Sequence, residues 1–268
     1  MKSLTAKQHF VPQFYLRNFA NTSNELHIFD VKNRRVMKPR GSSGICQEQF
    51  FYGIETGTPD EVSQEIEDYF SSKVEDPLSK ELPAIIQKIE ENKQISDDDK
   101  YILAIFMNTM WLRNPMMRKQ LNKMEEQLFK WTNKMRYSHS SIDGKIDEVL
   151  KKEGMSLTQE EREKYKKMIT NEEYAVTFSN KAHLRFMLES ESLQGFTNLF
   201  FGKYWIVHIS KCDRKFVTSD NPLTEVFPER RGFYGPKLLE RTHIFPLTPT
   251  IAIEAVYPLH QNKKKKKR

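Results

Sequence analysis

Ser96-Asp97-Asp98-Asp99 runs straight into Lys100-Tyr101-Ile102-Leu103-Ala104-Ile105-Phe106-Met107-Asn108-Thr109-Met110-Trp111-Leu112-Arg113, and Asn114-Pro115 closes the stretch. The first four residues form an acidic N-cap cluster, which the positive end of a helix dipole favours. The residues that follow are apolar on nearly every side, so the helix they form is expected to be central and buried. Two side chains stand out against that setting. Asn108, in mid-helix, asks for a helix-to-helix hydrogen bond. Arg113, at the end of an otherwise apolar helix, needs a carboxylate, phosphate or carbonyl partner.

Helical patterns extend outward on both sides. Val62, Ile66, Tyr69 or Phe70, and Val74 keep helical spacing, and Pro77 and Pro83 are expected to break or kink that run. Beyond Pro115, residues 116–137 are amphipathic and rich in cations. Residues 138–173 are the most polar part of the chain, with Gly144 and Gly154 as breakers, and read as an exposed helical insertion. A third long helix is expected over residues 172–201, ended by Gly202. Strands are expected at the two chain ends. Residues 25–30 and 34–37 form one hairpin, 204–209 and 215–218 another, and 250–257 a last strand. The fold class is therefore α+β, a mainly helical middle flanked by small strand groups from the two chain ends. Residues 1–262 read as a single domain, followed by a disordered lysine-rich tail at 263–268.

The chain has 268 residues, enough for one large core. Its 38% hydrophobic content is low, and 12% aromatic residues compensate in part because each buries a large area. The net charge of +7 belongs to the tail. Residues 263–268 carry six positive charges, which leaves 37 basic against 36 acidic side chains in the remainder. Cys46 and Cys212 are isolated, which offers no thiol metal knuckle or disulfide framework and suits a reducing cytoplasm. No stretch reaches the roughly 18 apolar residues of a membrane span, and the N-terminal region lacks a signal-like apolar run. A cytoplasmic protein without membrane contact is expected.

Two further motifs are distinctive. His9-Phe10-Val11-Pro12-Gln13-Phe14-Tyr15-Leu16-Arg17-Asn18-Phe19-Ala20 starts a helix at Pro12 and sets an aromatic stripe beside His9 and Arg17. Phe216-Val217-Thr218-Ser219-Asp220-Asn221-Pro222 ends a strand in a polar turn. Together with Pro246-Leu247-Thr248-Pro249, these segments resemble domain-of-unknown-function family 4238, whose members carry an HxxPxxYLRxFA-like opening, a TSDNP signature and a PLTP-like element. The resemblance runs from His9 to about Pro249 and implies no activity. It also implies acidic residues in the first helical region, followed by an arginine before proline, as Arg113 stands here.

Candidate catalytic groups are His9, Asp220, Glu67 and Glu75, with Arg17, Arg113 and Asn221 as candidate substrate-binding groups. Glu67 and Glu75 lie eight residues and about 80° apart on a helix. Each has a structural alternative: His9 fixing a helix start, Asp220 and Asn221 capping their own turn, Glu67 or Glu75 paired with Arg113. The phosphate-loop, GxGxxG, HExxH and GxSxG patterns are absent. A metal, if one binds, would be Mg²⁺ or Mn²⁺ held by carboxylates and scattered histidines. A cationic helix carries Arg113, Arg118, Lys119, Lys123, Lys130, Lys134 and Arg136 among Phe129, Trp131 and Tyr137; with the tail, it is the expected nucleic-acid contact. Three readings remain. The first is a hydrolase of nucleic-acid phosphodiesters with a composite His/Asp/Glu/Arg site. The second is a non-catalytic nucleic-acid-binding module, and the third a protein-interaction module, for example in bacterial stress or phage defence. The first is favoured because His, Arg and Asp recur in motifs otherwise made of packing residues. The sequence leaves enzymatic status and oligomeric state open.

Overall fold

The computed structural model of the chain describes residues 7–52, 54–55, 62–63, 65–137, 142–176, 181–226 and 241–257. Strand β1 (Lys7–His9) leads into helix α1 (Gln13–Arg17), then the hairpin β2 (Leu26–Asp30) and β3 (Arg35–Arg40). A 3₁₀ turn (Ser42–Gly44), β4 (Gln47–Gln49) and the short pair β5 (Ile54–Glu55) and β6 (Val62–Ser63) follow. Next come α2 (Glu65–Tyr69), a π-helical turn (Phe70–Glu75), α3 (Asp76–Glu90), α4 (Asp97–Leu112) and α5 (Pro115–Tyr137). Helices α6 (Ile142–Glu153), α7 (Gln159–Thr170), α8 (Lys181–Leu188) and α9 (Ser190–Phe201) precede β7 (Tyr204–Ile209), β8 (Thr224–Val226), β9 (Thr242–Pro246) and β10 (Ile251–Val256). The architecture is α+β with a helical middle. No helix among the described residues is long and apolar enough to cross a membrane. The lysine-rich tail lies outside the described residues.

The chain divides into two compact units, Met1–Met117 with Leu184–Arg268, and Arg118–His183. In the first, α4 is the central helix its composition demands. Ser96 and Asp99 close a capping box, and Asp99 also pairs with Lys88 of α3 at 2.8 Å. Leu103, Ala104, Phe106 and Met107 are wholly buried. Asn108 donates to Leu193 O at 2.9 Å and to Thr197 Oγ1 at 3.0 Å, the helix-to-helix bond its position required. Tyr15 of α1, Phe106 of α4 and Phe245 of β9 meet with ring centroids 5.3–5.7 Å apart, which ties both chain ends to the helical middle.

The C-terminal sheet is antiparallel in the order β7-β10-β9-β8. Here the structure departs from the expected hairpin. β7 pairs with β10, Ile253 facing Val207, and residues 215–218 form no strand. The reason is burial. Ile251, Ala252, Ile253 and Ala255 are fully buried and suit a central strand, whereas Val217 is 83% exposed. Pro83 does not end its helix either. It lies inside α3 on the exposed face, where water can serve the carbonyl left without a donor. Pro77 occupies the first turn, where proline is tolerated. The expected third long helix is two helices, parted at Glu189, whose ψ of 114° is extended.

The second unit is helical in its described residues and contains the polar stretch at 138–173. Helices α6 and α7 are bound by Arg162 and Lys166 reaching Asp143 and Asp147. Thr158 and Glu161 form a second capping box at the start of α7.

Candidate functional site

The first unit assembles a buried polar cluster around Arg113, the C-cap of α4. Its side chain is 1% exposed. Its Nε–H donates to the Tyr52 hydroxyl, one Nη donates to Glu75 Oε1 at 2.6 Å, and the other to the His9 carbonyl at 2.5 Å. The guanidinium also lies over the rings of Tyr52 and Phe70, 5.1 and 4.8 Å from their centroids. The cation expected to face phosphate is thus committed to the protein itself. Burial works against its charge, yet Tyr52 and Glu75 hold it firmly protonated.

Glu67 and Glu75 are brought to this arginine by local backbone chemistry. The π-helical turn Phe70–Glu75 separates them. Such turns insert a residue into the helical count, so Glu75 bonds Arg113 and Glu67 feels its charge from positions an uninterrupted helix would not give. Glu75 makes the ion pair and keeps 25% of its side chain exposed. Glu67 has a different environment. Its Oε2 is shielded from solvent and has no hydrogen-bond partner. Burial, with Glu75 and Asp68 adding repulsion and Arg113 opposing, pushes its carboxyl up to about 7.

His9, the last residue of β1, is fixed from several sides. Its carbonyl accepts from both Arg113 and Tyr52, the latter at 3.2 Å. Gln8 beside it is fully buried, and its Oε1 accepts the Tyr52 N–H at 2.6 Å. The His9 ring bonds the backbone of Ser42 and Ser43, and burial holds its pKa below the ordinary value despite the Glu75 charge. Its Nε2 is shielded and without a partner. Two titratable groups, His9 and Glu67, therefore lie within the electrostatic reach of one Arg113–Glu75 pair, each with an unsatisfied atom. Neither Gln8 nor Tyr52 was expected in the site. The apolar-aromatic run at 50–52 gave no sign that Tyr52 would bridge β1 and α4.

The remaining expected residues stand elsewhere. Arg17 is exposed on the last turn of α1, and Asp220 and Asn221 are exposed. No hydrogen bond or ion pair among the described residues joins these three to His9, Glu67, Glu75 or Arg113. The Asp220 charge acts on Cys46, whose thiol is pushed up to about 12, mainly by burial. In the TSDNP turn, Ser219 Oγ accepts from Asn221 N–H at 3.0 Å and donates to Asn221 O at 2.8 Å. The motifs do converge, but through other atoms. Tyr15 O–H donates to Pro246 O at 2.8 Å and lies 2.8 Å from Thr218 Oγ1, while Asn18 donates to Leu247 O at 3.1 Å.

A second buried polar cluster lies at the C-terminal sheet. Lys203 is 3% exposed, donates to Arg241 O at 2.5 Å and is lowered to about 8 by burial. His243 is fully buried with neither ring nitrogen bonded to a side chain, and burial lowers it to about 3. Glu225 links the group by accepting from Trp111 and pairing with Arg241. Isolated in sequence, Lys203 and His243 carried no signal.

Part of the expected cationic helix is engaged within the protein. In the second unit, Lys130 pairs with Glu126, Lys134 with Glu172, and Arg118 donates to His183 at 3.3 Å. The β2–β3 hairpin carries a basic surface in the first unit. Lys32, Arg34, Lys38 and Arg40 are exposed, Arg35 pairs with Asp30, and Phe29 is 57% exposed beside Val36 at 76%. The hairpin runs through Gly41 into Ser42 and Ser43, which hold the His9 ring. Among the described residues no three His, Cys, Asp or Glu side chains are grouped to hold a metal ion.

A family model described as "Protein of unknown function (DUF4238)" matches residues 7–268, so the chain belongs to that family. No curated protein and no solved structure matches it.

Proposed function

We propose that this member of the DUF4238 family hydrolyses nucleic-acid phosphodiesters by acid–base chemistry, with His9 as general base and Glu67 as general acid. The carrying observation is the pair of shielded, unsatisfied atoms, His9 Nε2 and Glu67 Oε2, on two groups that both feel the charges of the Arg113–Glu75 pair. Environments that push a histidine down and a carboxyl up leave a neutral imidazole and a protonated carboxyl together just below pH 7, the combination such a reaction uses. A water adds to phosphorus and gives its proton to His9. The bond to the leaving oxygen then breaks as Glu67 supplies the proton. Arg113 is a positioning residue, since its three bonds fix Glu75 and the His9 backbone. The exposed cations of the β2–β3 hairpin supply the polyanion contact, with Phe29 as a stacking surface.

The test is cleavage of labelled single- and double-stranded RNA and DNA by the full chain, against Glu67→Gln and His9→Asn. Activity should rise and fall around a maximum slightly below pH 7, and each variant should lose about 10²-fold or more. Absence of cleavage in every substrate, or variants as active as the parent, would refute the proposal.

A further inference from the structure

In α5, Leu121, Met124, Leu128, Trp131 and Met135 follow one another at alternating spacings of three and four residues. That 3.5-residue period is the signature of a coiled-coil seam rather than of a helix lying on a globular core. The helix is turned against expectation. Its polar side faces its own unit, where Lys130 pairs with Glu126 at 2.8 Å and lies over the Tyr174 ring at 5.3 Å. Glu125 Oε2 on the same side is shielded from water. The middle of the seam points outward, with Met124, Leu128 and Trp131 respectively 58%, 59% and 58% exposed, while Leu121 is half-buried. A folded chain seldom buries charges and exposes such a strip unless another surface covers it.

We propose that the α5 seam is a homodimer interface, packing antiparallel on the same seam of a second copy. The order of its side chains argues for that occupant. Rotated two-fold about residue 126, the seam from Leu121 to Trp131 matches itself, with Leu121 opposite Trp131 and Met124 opposite Leu128, and Met135 lies beyond the matched layers. A parallel pair would instead set Trp131 against Trp131, two large rings in one layer. Of the flanking residues Gln120, Gln127 and Thr132 are uncharged, and the charged Glu125 and Lys134 on the same edges turn toward the helix's own unit, Glu125 Oε2 shielded and Lys134 paired with Glu172. The exposed strip offers on the order of 500 Å² per copy, so a pair buries about 1,000 Å², the lower bound of a specific interface.

The test is the mass of the full chain by light scattering and sedimentation over a concentration series. The parent should sediment as a dimer at tens of micromolar, and Leu128→Glu and Trp131→Glu should each convert it to a monomer with unchanged helical signal. In a Cys212→Ser background, Gln127→Cys should crosslink to itself through a short bis-maleimide, because only the antiparallel arrangement sets both copies of that residue on one side of the seam. A parent that stays monomeric, whether the strip serves another protein or is covered within the chain, overturns the proposal. So does a dimer that survives both charge substitutions.

Discussion

Replacing Arg113 tests whether the buried cluster organises the first unit. Arg113→Ala removes three hydrogen bonds at once, to Tyr52, Glu75 and the His9 carbonyl. Breaking a buried ion pair by deleting one partner costs about 3–5 kcal/mol, because the other charge is left without compensation. Two structural details place this case near the lower end. Glu75 keeps 25% of its side chain in solvent and can recover some hydration, and Tyr52 still donates to His9 O at 3.2 Å. About 3 kcal/mol is therefore expected, read as a fall in the urea midpoint with an unchanged slope. The double variant Arg113→Met with Glu75→Gln keeps the volume and removes both charges, so it should recover roughly half or more of that loss. A change under about 1 kcal/mol in Arg113→Ala, or a double variant no better than the sum of its single changes, would show that the ion pair does not couple β1 to α4 as argued.

Three other outcomes follow from the same structure. Tyr15→Phe strips the bond to Pro246 O and the contact with Thr218, and should cost about 1–3 kcal/mol in thermal melts; an unchanged melting temperature would contradict the motif junction. Glu67 is held up to about 7 against an ordinary 4.5, so the stability of its neutral form is complete below pH 4.5 and lost as pH rises through 7. Glu67→Gln should match the parent at pH 4.5 and exceed it by about 1–2 kcal/mol at pH 8, after allowing for solvent screening; superimposable stability curves would place Glu67 in water. Replacing Lys32, Arg34, Lys38 and Arg40 with alanine should flatten the logarithmic salt dependence of single-strand binding by about 3, and an unaltered slope would move the contact off the hairpin.

The sequence by itself determined those elements whose signal is local. The acidic cap before residue 100, the apolar run to Leu112 and the misfit of Asn108 and Arg113 required a central helix with two polar partners, and both partners exist. Alternation placed β2, β3, β7 and β10, and the short turn paired β2 with β3, yet it could not choose the partner of β7. β7 chose β10 over its sequence neighbour because only β10 has enough apolar surface to be buried on both faces. The site shows the same division. His9, Glu67, Glu75 and Arg113 were legible as side chains too costly to bury alone. Asp220, Asn221 and Arg17 carried the same chemical types and stand at the surface, the turn of the first two being closed by Ser219 on the Asn221 backbone. Tyr52 and Gln8 became structural only when β1, α4 and the π-helical turn met. Their roles depend on partners 44 and 61 residues away, and pairings at that separation leave no periodicity in a single chain. Only the tertiary structure could also show that α5 turns its charged side inward, because amphipathicity reveals that a helix has two faces and not which one its own unit will bury.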